Sequence, residues 1–266
     1  MSERIGAARR WKPYPALQVT AALHAAGAVA LGVQPALWPG VAAALVANHG
    51  VLFAACMMPR SSVLGPNLVR LPAAAAARGE VALTFDDGPD PEITPRVLDR
   101  LEKAGARATF FCIGERAAAQ PRLMREMVAR GHAVESHSLR HTLGFGWYGP
   151  KRLRREVEGA QGAIADACGV EPVFFRAPFG VRNPMLDQVL ARAGLRYATW
   201  TRRGYDTRDD DAARVLRRLV SGLRAGDVLM LHDGYRGRDP GGVLSPLLGQ
   251  LEARGLRAVT LRQATR

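Results

Sequence analysis

Acidic, histidine and arginine residues occur in four short clusters that could support metal and acid–base chemistry. The first is Asp86-Asp87, which follows the apolar run 81–85 and precedes Gly88-Pro89. Adjacent carboxylates repel each other, and proteins tolerate the pair when one binds a cation and the other accepts a proton. A solvated Asp-Gly-Pro turn is the alternative interpretation.

The second cluster contains His137 and His141. Histidines four residues apart meet on one face of a helical turn, where both can ligate one metal. Alone, such a pair is weak evidence, but a nearby carboxylate would complete an Asp-His-His site. That site leaves positions for water and a substrate oxygen, as a catalytic metal requires.

The third cluster, residues 176–180, begins with Arg176 and continues through Pro178 to Gly180. An arginine at a strand end is commonly a surface ion pair, but this one could orient a carboxylate. Its loop could also turn a backbone N–H toward a developing oxyanion. The fourth cluster ends an apolar run at His232. A histidine there is usually structural, yet it suits a general acid if Asp206, the candidate partner, holds its other ring nitrogen.

Strands and helices alternate from residue 80 onward, and each cluster follows a strand. Apolar runs predict seven strands, at 81–85, 108–113, 132–136, 173–175, 197–200, 228–231 and 257–261. Start and stop signals predict helices between them, the first capped by Thr94 with Pro95 at its first position. The alternation favours an α/β fold, a distorted or incomplete (β/α) barrel with its chemistry at the C-terminal strand ends.

Together the clusters resemble the polysaccharide deacetylase family, the NodB-like or family 4 carbohydrate esterases. Residues 84–89 resemble its first motif, 137–141 its second (H-S/T-x-x-H), 176–180 its third (R-x-P-x-G) and 229–232 its last. The resemblance covers roughly residues 80–262. It implies a metal-dependent hydrolase that removes an N-acyl group, in the first place acetyl, from an amino sugar of a polysaccharide or glycoconjugate.

The resemblance also implies which residues bind the metal and activate water. Asp86 is the catalytic base, and Arg176 steadies it. The ligands of one divalent ion are Asp87, His137 and His141. Zinc is the expected metal, although cobalt, nickel or manganese would fit the same ligands.

The remaining implied roles concern the acyl group and the leaving amine. The backbone N–H of Phe179, in the loop shaped by Pro178, contributes to the oxyanion hole, and Leu231 lines the pocket for the acyl methyl group. The general acid is His232, paired with Asp206.

The family's fourth motif, commonly D-x-x-D-W, departs from the pattern here. Asp206 keeps the second acid, but Arg203 replaces the first and Thr207 replaces the tryptophan. The change puts the polymers chitin and peptidoglycan in doubt as substrates. Together with Arg202 and Arg208, Arg203 could bind a phosphate or contact anionic lipid head groups.

Two other functions remain open. One is a deacetylase or deformylase of a lipid-linked sugar at the cytoplasmic leaflet. The other is a non-catalytic membrane-bound sugar-binding protein, against which the intact acidic and histidine clusters argue. The sequence predicts neither the sugar nor the oligomeric state.

The N-terminal quarter predicts a pair of transmembrane helices. Between Pro13 and Pro59 there is no Lys, Arg, Asp or Glu, and the apolar stretches 16–33 and 40–57 can each cross a bilayer as a helix. Basic residues precede the first stretch and follow the second, while the turn 34–39 has none. The positive-inside rule then places both ends, and the catalytic domain, on the cytoplasmic side of the inner membrane.

We therefore expect a membrane-associated helical hairpin over 1–58, a linker over 59–79 and a catalytic domain over 80–266. Three alternatives compete for the hairpin. It could be a signal peptide cleaved after Ala28-Val29-Ala30. It could be one span plus an interfacial or buried helix, which would reverse the side of the catalytic domain. It could also be two soluble core helices, although neither stretch has a polar face.

The formal net charge of +13 narrows the possible partners. Residues 1–79 carry seven basic residues against one acid. A basic chain can bind nucleic acid, anionic lipid or an acidic substrate. No nucleic-acid motif is present and aromatic residues are few, so we expect no nucleic acid and favour membrane lipids or a phosphorylated substrate. The three cysteines are far apart and predict neither a disulfide framework nor a CxxC zinc site.

Overall fold

The computed structural model describes residues 9–234 and 241–266, and in these ranges eight strands form one curled parallel sheet. The strands are β1 Glu80–Asp86, β2 Thr109–Cys112, β3 Ala133–Ser136, β4 Phe174–Phe175, β5 Arg196–Tyr197, β6 Arg202–Arg203, β7 Val228–His232 and β8 Arg257–Val259. Their order is β5-β4-β3-β2-β1-β7-β6, and β8 pairs with the first half of β1. This incomplete (β/α) barrel confirms the predicted fold class.

Helices cover the outside of the sheet. They are α3 Ala73–Ala77, α4 Ile93–Lys103, α5 Gly114–Ala119, α6 Pro121–Ala129, α7 Pro150–Cys168, α8 Leu186–Ala193, α9 Ala212–Val220, α10 Gly241–Ala253 and α11 Leu261–Ala264. Strand β1 is buried along its whole length, as a central parallel strand with both faces covered should be. Side chains alternate along it, so Val81, Leu83 and Phe85 pack under the helices. The opposite face, which includes Asp86, lies inside the barrel.

The segment expected as a linker packs against the domain and fills the gap between the two ends of the sheet. Leu68 forms a parallel bridge with Ala198, and the N–H of Leu71 donates to the carbonyl of Gly226. Because Leu68 pairs between β5 and β6, the single strand predicted at 197–200 is wrong. The chain there forms two short strands separated by the bridge.

Helix α4 begins differently from the prediction. The carboxylate of Asp90 accepts hydrogen bonds from the N–H groups of Glu92 and Ile93. Thr94 lies inside the first turn, where its hydroxyl donates to Asp233 at 2.6 Å. The predicted N-cap at Thr94 is therefore wrong, because an acidic residue four positions earlier already binds the free N–H groups of the helix start.

Two apolar helices, α1 Pro15–Val33 and α2 Trp38–Met57, precede the domain. They pack against each other through the hydrogen-bonded pair Thr20 and Asn48, and most of their side chains are exposed. Their length and composition suit a membrane anchor or a signal sequence. Arg4, one of the basic residues that precede the first apolar stretch, lies outside the described residues.

The carboxylate of Asp227 links the segment 59–79 to strand β6 of the sheet. It accepts hydrogen bonds at 2.6 Å from both Arg70 and Arg202, and its side chain is buried. We expect Asp227→Asn to lower the free energy of unfolding by about 2 kcal/mol, since an amide cannot replace two charge-assisted hydrogen bonds.

Thermal denaturation of the full chain in detergent measures this effect. Asp166→Asn, which removes an exposed carboxylate from α7, is the control and should change stability by no more than about 0.5 kcal/mol. Equal melting temperatures for the Asp227 variant and the wild type would contradict the assignment.

Candidate active site

Asp86 and Asp87 lie at the C-terminal end of β1, and the backbone turns between them. Asp86 is the last residue of the strand and faces the barrel interior. Asp87 adopts a left-handed conformation with φ of 74°, which is uncommon for a residue with a side chain. The turn directs the two neighbouring carboxylates to different partners, and so relieves the repulsion that the sequence implied.

Arg176 is fully buried beside Asp86. Its guanidinium donates to the Asp86 carboxylate at 2.6 Å, to the hydroxyl of Thr84 at 2.9 Å and to the carbonyl of Thr199 at 2.8 Å. It also lies over the ring of Phe111, 4.0 Å from the centroid. These contacts fix the position of the Asp86 carboxylate at the edge of the cavity.

Three side chains converge on one point next to this pair. The Nε2 atoms of His137 and His141 lie 3.3 Å and 3.2 Å from Oδ1 of Asp87. That oxygen is buried and has no hydrogen-bond partner among the described residues. Nitrogen and oxygen ligands of a tetrahedral zinc are about 3.3 Å apart, from metal–ligand distances of about 2.0–2.1 Å. The three residues fit a divalent metal ion.

The surroundings prepare both histidines as ligands. The Nδ1 atom of His137 lies 2.9 Å from the carbonyl of Arg176, which leaves Nε2 with its lone pair free for a metal. Burial, with the charge of His137, lowers the pKa of His141 to about 4. Burial alone would raise the pKa of Asp87, but the two histidines hold it below its ordinary value. The neutral imidazoles and the ionised carboxylate are the forms that bind metals.

The two histidines do not share a helical turn, so that part of the prediction is wrong. Residues 137–141 form an irregular loop in which Ser138 and His141 both have positive φ, 65° and 53°. The hydroxyl of Ser138 accepts from the N–H of His141 and closes the loop. Backbone strain of this kind persists where the surrounding structure holds it, often at functional sites.

His232 lines the same cavity as the candidate metal triad of Asp87, His137 and His141, and Asp206 holds it there. The Asp206 carboxylate accepts from the backbone N–H of His232 at 2.8 Å and lies 2.9 Å from its Nδ1. Burial works to lower the pKa of His232, but the hydrogen bond and charge of Asp206 outweigh it, and the pKa is raised. The structure therefore joins the two residues that the sequence paired as a hypothesis.

Asp86, the three residues of the triad and His232 line one cavity of about 380 Å³, and Asp206 and Arg176 support His232 and Asp86 from behind. Phe179 lines it too, with a φ of 59° and its ring 4.6 Å from that of His141. Pro178 is buried behind this loop. Leu231 lies fully buried in the core among the helices, while its neighbour Met230 reaches the cavity. The acyl-pocket role of Leu231 stays a prediction.

Sequence reasoning missed several residues of the site. Trp200 and Arg116 line the cavity without belonging to any cluster, and Met230 lines it from within the motif 229–232 although no role was assigned to it. Asp233 is buried behind it, where burial raises the pKa of this carboxyl to about 7 and the Thr94 hydroxyl donates to it. Its position directly after His232 was the one available signal. Trp200 and Arg116 have no such signal, because tertiary packing alone brings them to the cavity.

Comparisons with known proteins identify the family. A family model described as polysaccharide deacetylase matches residues 73–198. A chitooligosaccharide deacetylase from Bradyrhizobium sp. (strain ANU 289) is 39% identical over 58% of this chain and 71% of its own length. A peptidoglycan-N-acetylglucosamine deacetylase from Bacillus cereus is 32% identical over 70% of this chain and 88% of its own. The chain belongs to the polysaccharide deacetylase family. This confirms the resemblance read from the four clusters.

A solved structure supports the same grouping. A family 4 acetyl xylan esterase from Clostridium thermocellum, in complex with a cobalt ion, has a TM-score of 0.64 and 31% identity over 70% of this chain and 89% of its own. The match to the polysaccharide deacetylase model begins at residue 73, so α1 and α2 precede the matched segment.

The metal triad gives a direct prediction for this polysaccharide deacetylase. Purified protein loaded with zinc should hold about one ion per chain, and His137→Ala should lose most of it because one of three ligands is gone. Metal content by mass spectrometry after dialysis measures this. His232→Ala is the matched control, a histidine of the same cavity that should retain the ion. Full occupancy in the His137 variant would remove His137 from the site.

Proposed function

We propose that this protein is a metal-dependent carbohydrate N-deacetylase, a hydrolase that removes the acetyl group from an N-acetylated amino sugar. The observation that carries the proposal is one cavity lined by Asp86, which Arg176 holds, by the Asp87-His137-His141 triad and by His232, which Asp206 holds. The named activities of the two relatives, on chitooligosaccharides and on peptidoglycan, support the same reaction.

In this proposal, the residues divide the reaction between them. A divalent ion held by Asp87, His137 and His141 would polarise the acyl carbonyl and make water more acidic. Asp86 accepts the proton of the attacking water, and the Arg176 contact holds its carboxylate in place for that task. The backbone N–H of Phe179 then donates to the acyl oxygen as negative charge develops on it.

The leaving amine needs a proton, and His232 supplies it in this scheme. Its Nδ1 is held by Asp206, so Nε2 is the atom that can carry a proton to the cavity. Zinc is the proposed metal, and the cobalt complex of the related esterase supports a site for ions of this type.

The activity itself is the first test. The full chain should release acetate from short N-acetylglucosamine oligomers, and Asp86→Asn should lower kcat by about 10²–10⁴-fold because the amide cannot accept the proton. Asp166→Asn should leave the rate unchanged. An Asp86 variant with wild-type turnover would remove it as the base, and no deacetylation of any N-acetylated amino sugar would refute the function.

The pH dependence tests His232. A general acid must be protonated, so kcat/KM falls as the pH rises through its pKa. Since Asp206 raises the pKa of His232, Asp206→Asn should move the alkaline limb to lower pH, and should also lower the maximum rate. Asp209→Asn, in the same loop but paired with Arg218, is the control. An unmoved alkaline limb in the Asp206 variant would contradict the role of His232.

A lipid-linked amino sugar is a second candidate substrate, and contacts between the cavity wall and the end of α2 favour it. Gly180 in the cavity wall packs tightly against Trp200 and against Pro59, which lies two residues beyond α2. A Cβ atom placed on Gly180 would lie only 2.7 Å from Trp200 and 2.9 Å from Pro59. The exposed Trp147 has its ring 6.3 Å from that of Phe53 in α2. Tryptophan is enriched at membrane interfaces. If α1 and α2 cross the bilayer, the cavity opens close to the lipid head groups.

The same proposal includes a cell-membrane location with the catalytic domain in the cytoplasm. The basic flanks of α1 and α2 support it through the positive-inside rule. A green fluorescent protein fused after Arg266 should fluoresce, and an alkaline phosphatase fused there should be inactive. An active phosphatase fusion would instead favour one span or a cleaved signal peptide.

A further inference from the structure

Arg203 lies in the wall of the catalytic cavity although no step of the proposed reaction uses it. It belongs to β6 and pairs with Met230 of β7, one strand away from β1. Its guanidinium lies 5.4 Å from the ring centroid of Trp200 and 4.9 Å from that of Tyr205. These rings hold the arginine at the cavity, next to the groups that would act on the acyl group.

The guanidinium of Arg203 has no anionic partner among the described residues. Its Nε atom is buried and makes no hydrogen bond there. Two neighbouring arginines do have carboxylate partners. Arg202 binds Asp227 and two backbone carbonyls, and Arg218 binds Asp209 at 2.8 Å. The sequence suggested a phosphate site of Arg202, Arg203 and Arg208. Because Arg202 already binds Asp227, only Arg203 and Arg208 remain for a phosphate.

An unpaired, partly buried cation is costly unless a ligand compensates it. The planar guanidinium donates in pairs and matches the oxygens of a phosphate. Arg208 and Arg116 line the same cavity, so other cations lie near Arg203 there. The charge of Arg203 also contributes to a lowered pKa of Arg176, after the larger effect of burial, which agrees with its closeness to the catalytic pair.

We propose that Arg203, with Arg208 at the cavity mouth, is a substrate-specificity site that binds a phosphate joined to the anomeric carbon of the amino sugar. The anomeric carbon is bonded to the carbon that carries the acetamido group. A phosphate there would therefore lie beside the reacting amide, as Arg203 lies beside Asp86 and Arg176. This inference rests on the proposed function, because it takes the acetamido group to bind in the same cavity.

The position of α2 favours a lipid as the other substituent of that phosphate. Trp200, under the Arg203 guanidinium, approaches Gly180, and Gly180 approaches Pro59 just beyond α2. Arg60 also donates to the carbonyl of Thr201 at 2.5 Å. Only Trp200 and Gly180 thus lie between Arg203 and Pro59, at the end of the apolar helix pair.

The test is equilibrium binding to the full chain in detergent, loaded with zinc. The three probes are N-acetylglucosamine 1-phosphate, its octyl phosphodiester and the neutral methyl glycoside. The wild type should bind the 1-phosphate about tenfold or more tightly than the methyl glycoside, as expected for a charge-assisted hydrogen bond. Arg203→Ala should lose this preference and bind the methyl glycoside as the wild type does. Arg203→Lys should keep part of it, and Arg217→Ala, an exposed arginine of α9, should keep all of it.

Equal wild-type affinity for the charged and neutral probes would overturn the proposal, as would an Arg203→Ala variant that weakens both equally. Tighter binding of the octyl phosphodiester than of the 1-phosphate would identify a lipid-linked source, and the reverse order a soluble sugar phosphate. Acetate release is measured on the same probes. A phosphate preference with no acetate release from these probes or from the N-acetylglucosamine oligomers would refute the proposed function and leave the phosphate site standing.

Discussion

The guanidinium of Arg176 is buried at the centre of the curled sheet, and its charge has to be balanced there. Its side chain binds Asp86 and Thr84 of β1 and the carbonyl of Thr199, while its own carbonyl accepts from Nδ1 of His137. One residue thus fixes the proposed base, the tautomer of His137, a proposed metal ligand, and the spacing between them. Removing either partner of a buried pair leaves an uncompensated charge, at a cost of about 3–5 kcal/mol. The arrangement of the site therefore depends on this ion pair.

A second constraint comes from the ends of the parallel strands. Their carboxyl ends meet at one edge, and the loops that follow must turn side chains back over the barrel. Two residues of the triad, Asp87 and His141, and the neighbouring Phe179 do this with positive φ angles. The buried residue Asp233 holds the turn at Asp87. The N–H of Asp233 donates to the carbonyl of Asp86, and the side chain of Asp233 accepts a hydrogen bond from the hydroxyl of Thr94. The site combines a rigid inner wall of strands with strained loops that the packing holds in place.

Much of this could be predicted from the sequence, because continuous apolar runs mark buried strands and the polar residues that end them stand out. Asp86, His137 and His232 were found in this way. The loop conformation could not be predicted, since a histidine pair with helical spacing reads the same whether the backbone is helical or not. The break between β5 and β6 depends on Leu68, which is distant in sequence. That Arg202 is paired and Arg203, within the described part of the chain, is not likewise depends on Asp227, which only the fold brings near Arg202.

The central claim is that one metal ion lies between Asp87, His137 and His141, with Asp86 beside it as a base and not as a ligand. Anomalous diffraction at the zinc edge, on crystals of the full chain grown with zinc, tests it most directly. The account predicts one strong peak about 2.0–2.2 Å from Nε2 of both histidines and from an oxygen of Asp87, with Asp86 still bound to Arg176. A peak coordinated by Asp86, or an ion bound elsewhere in the cavity, would contradict it.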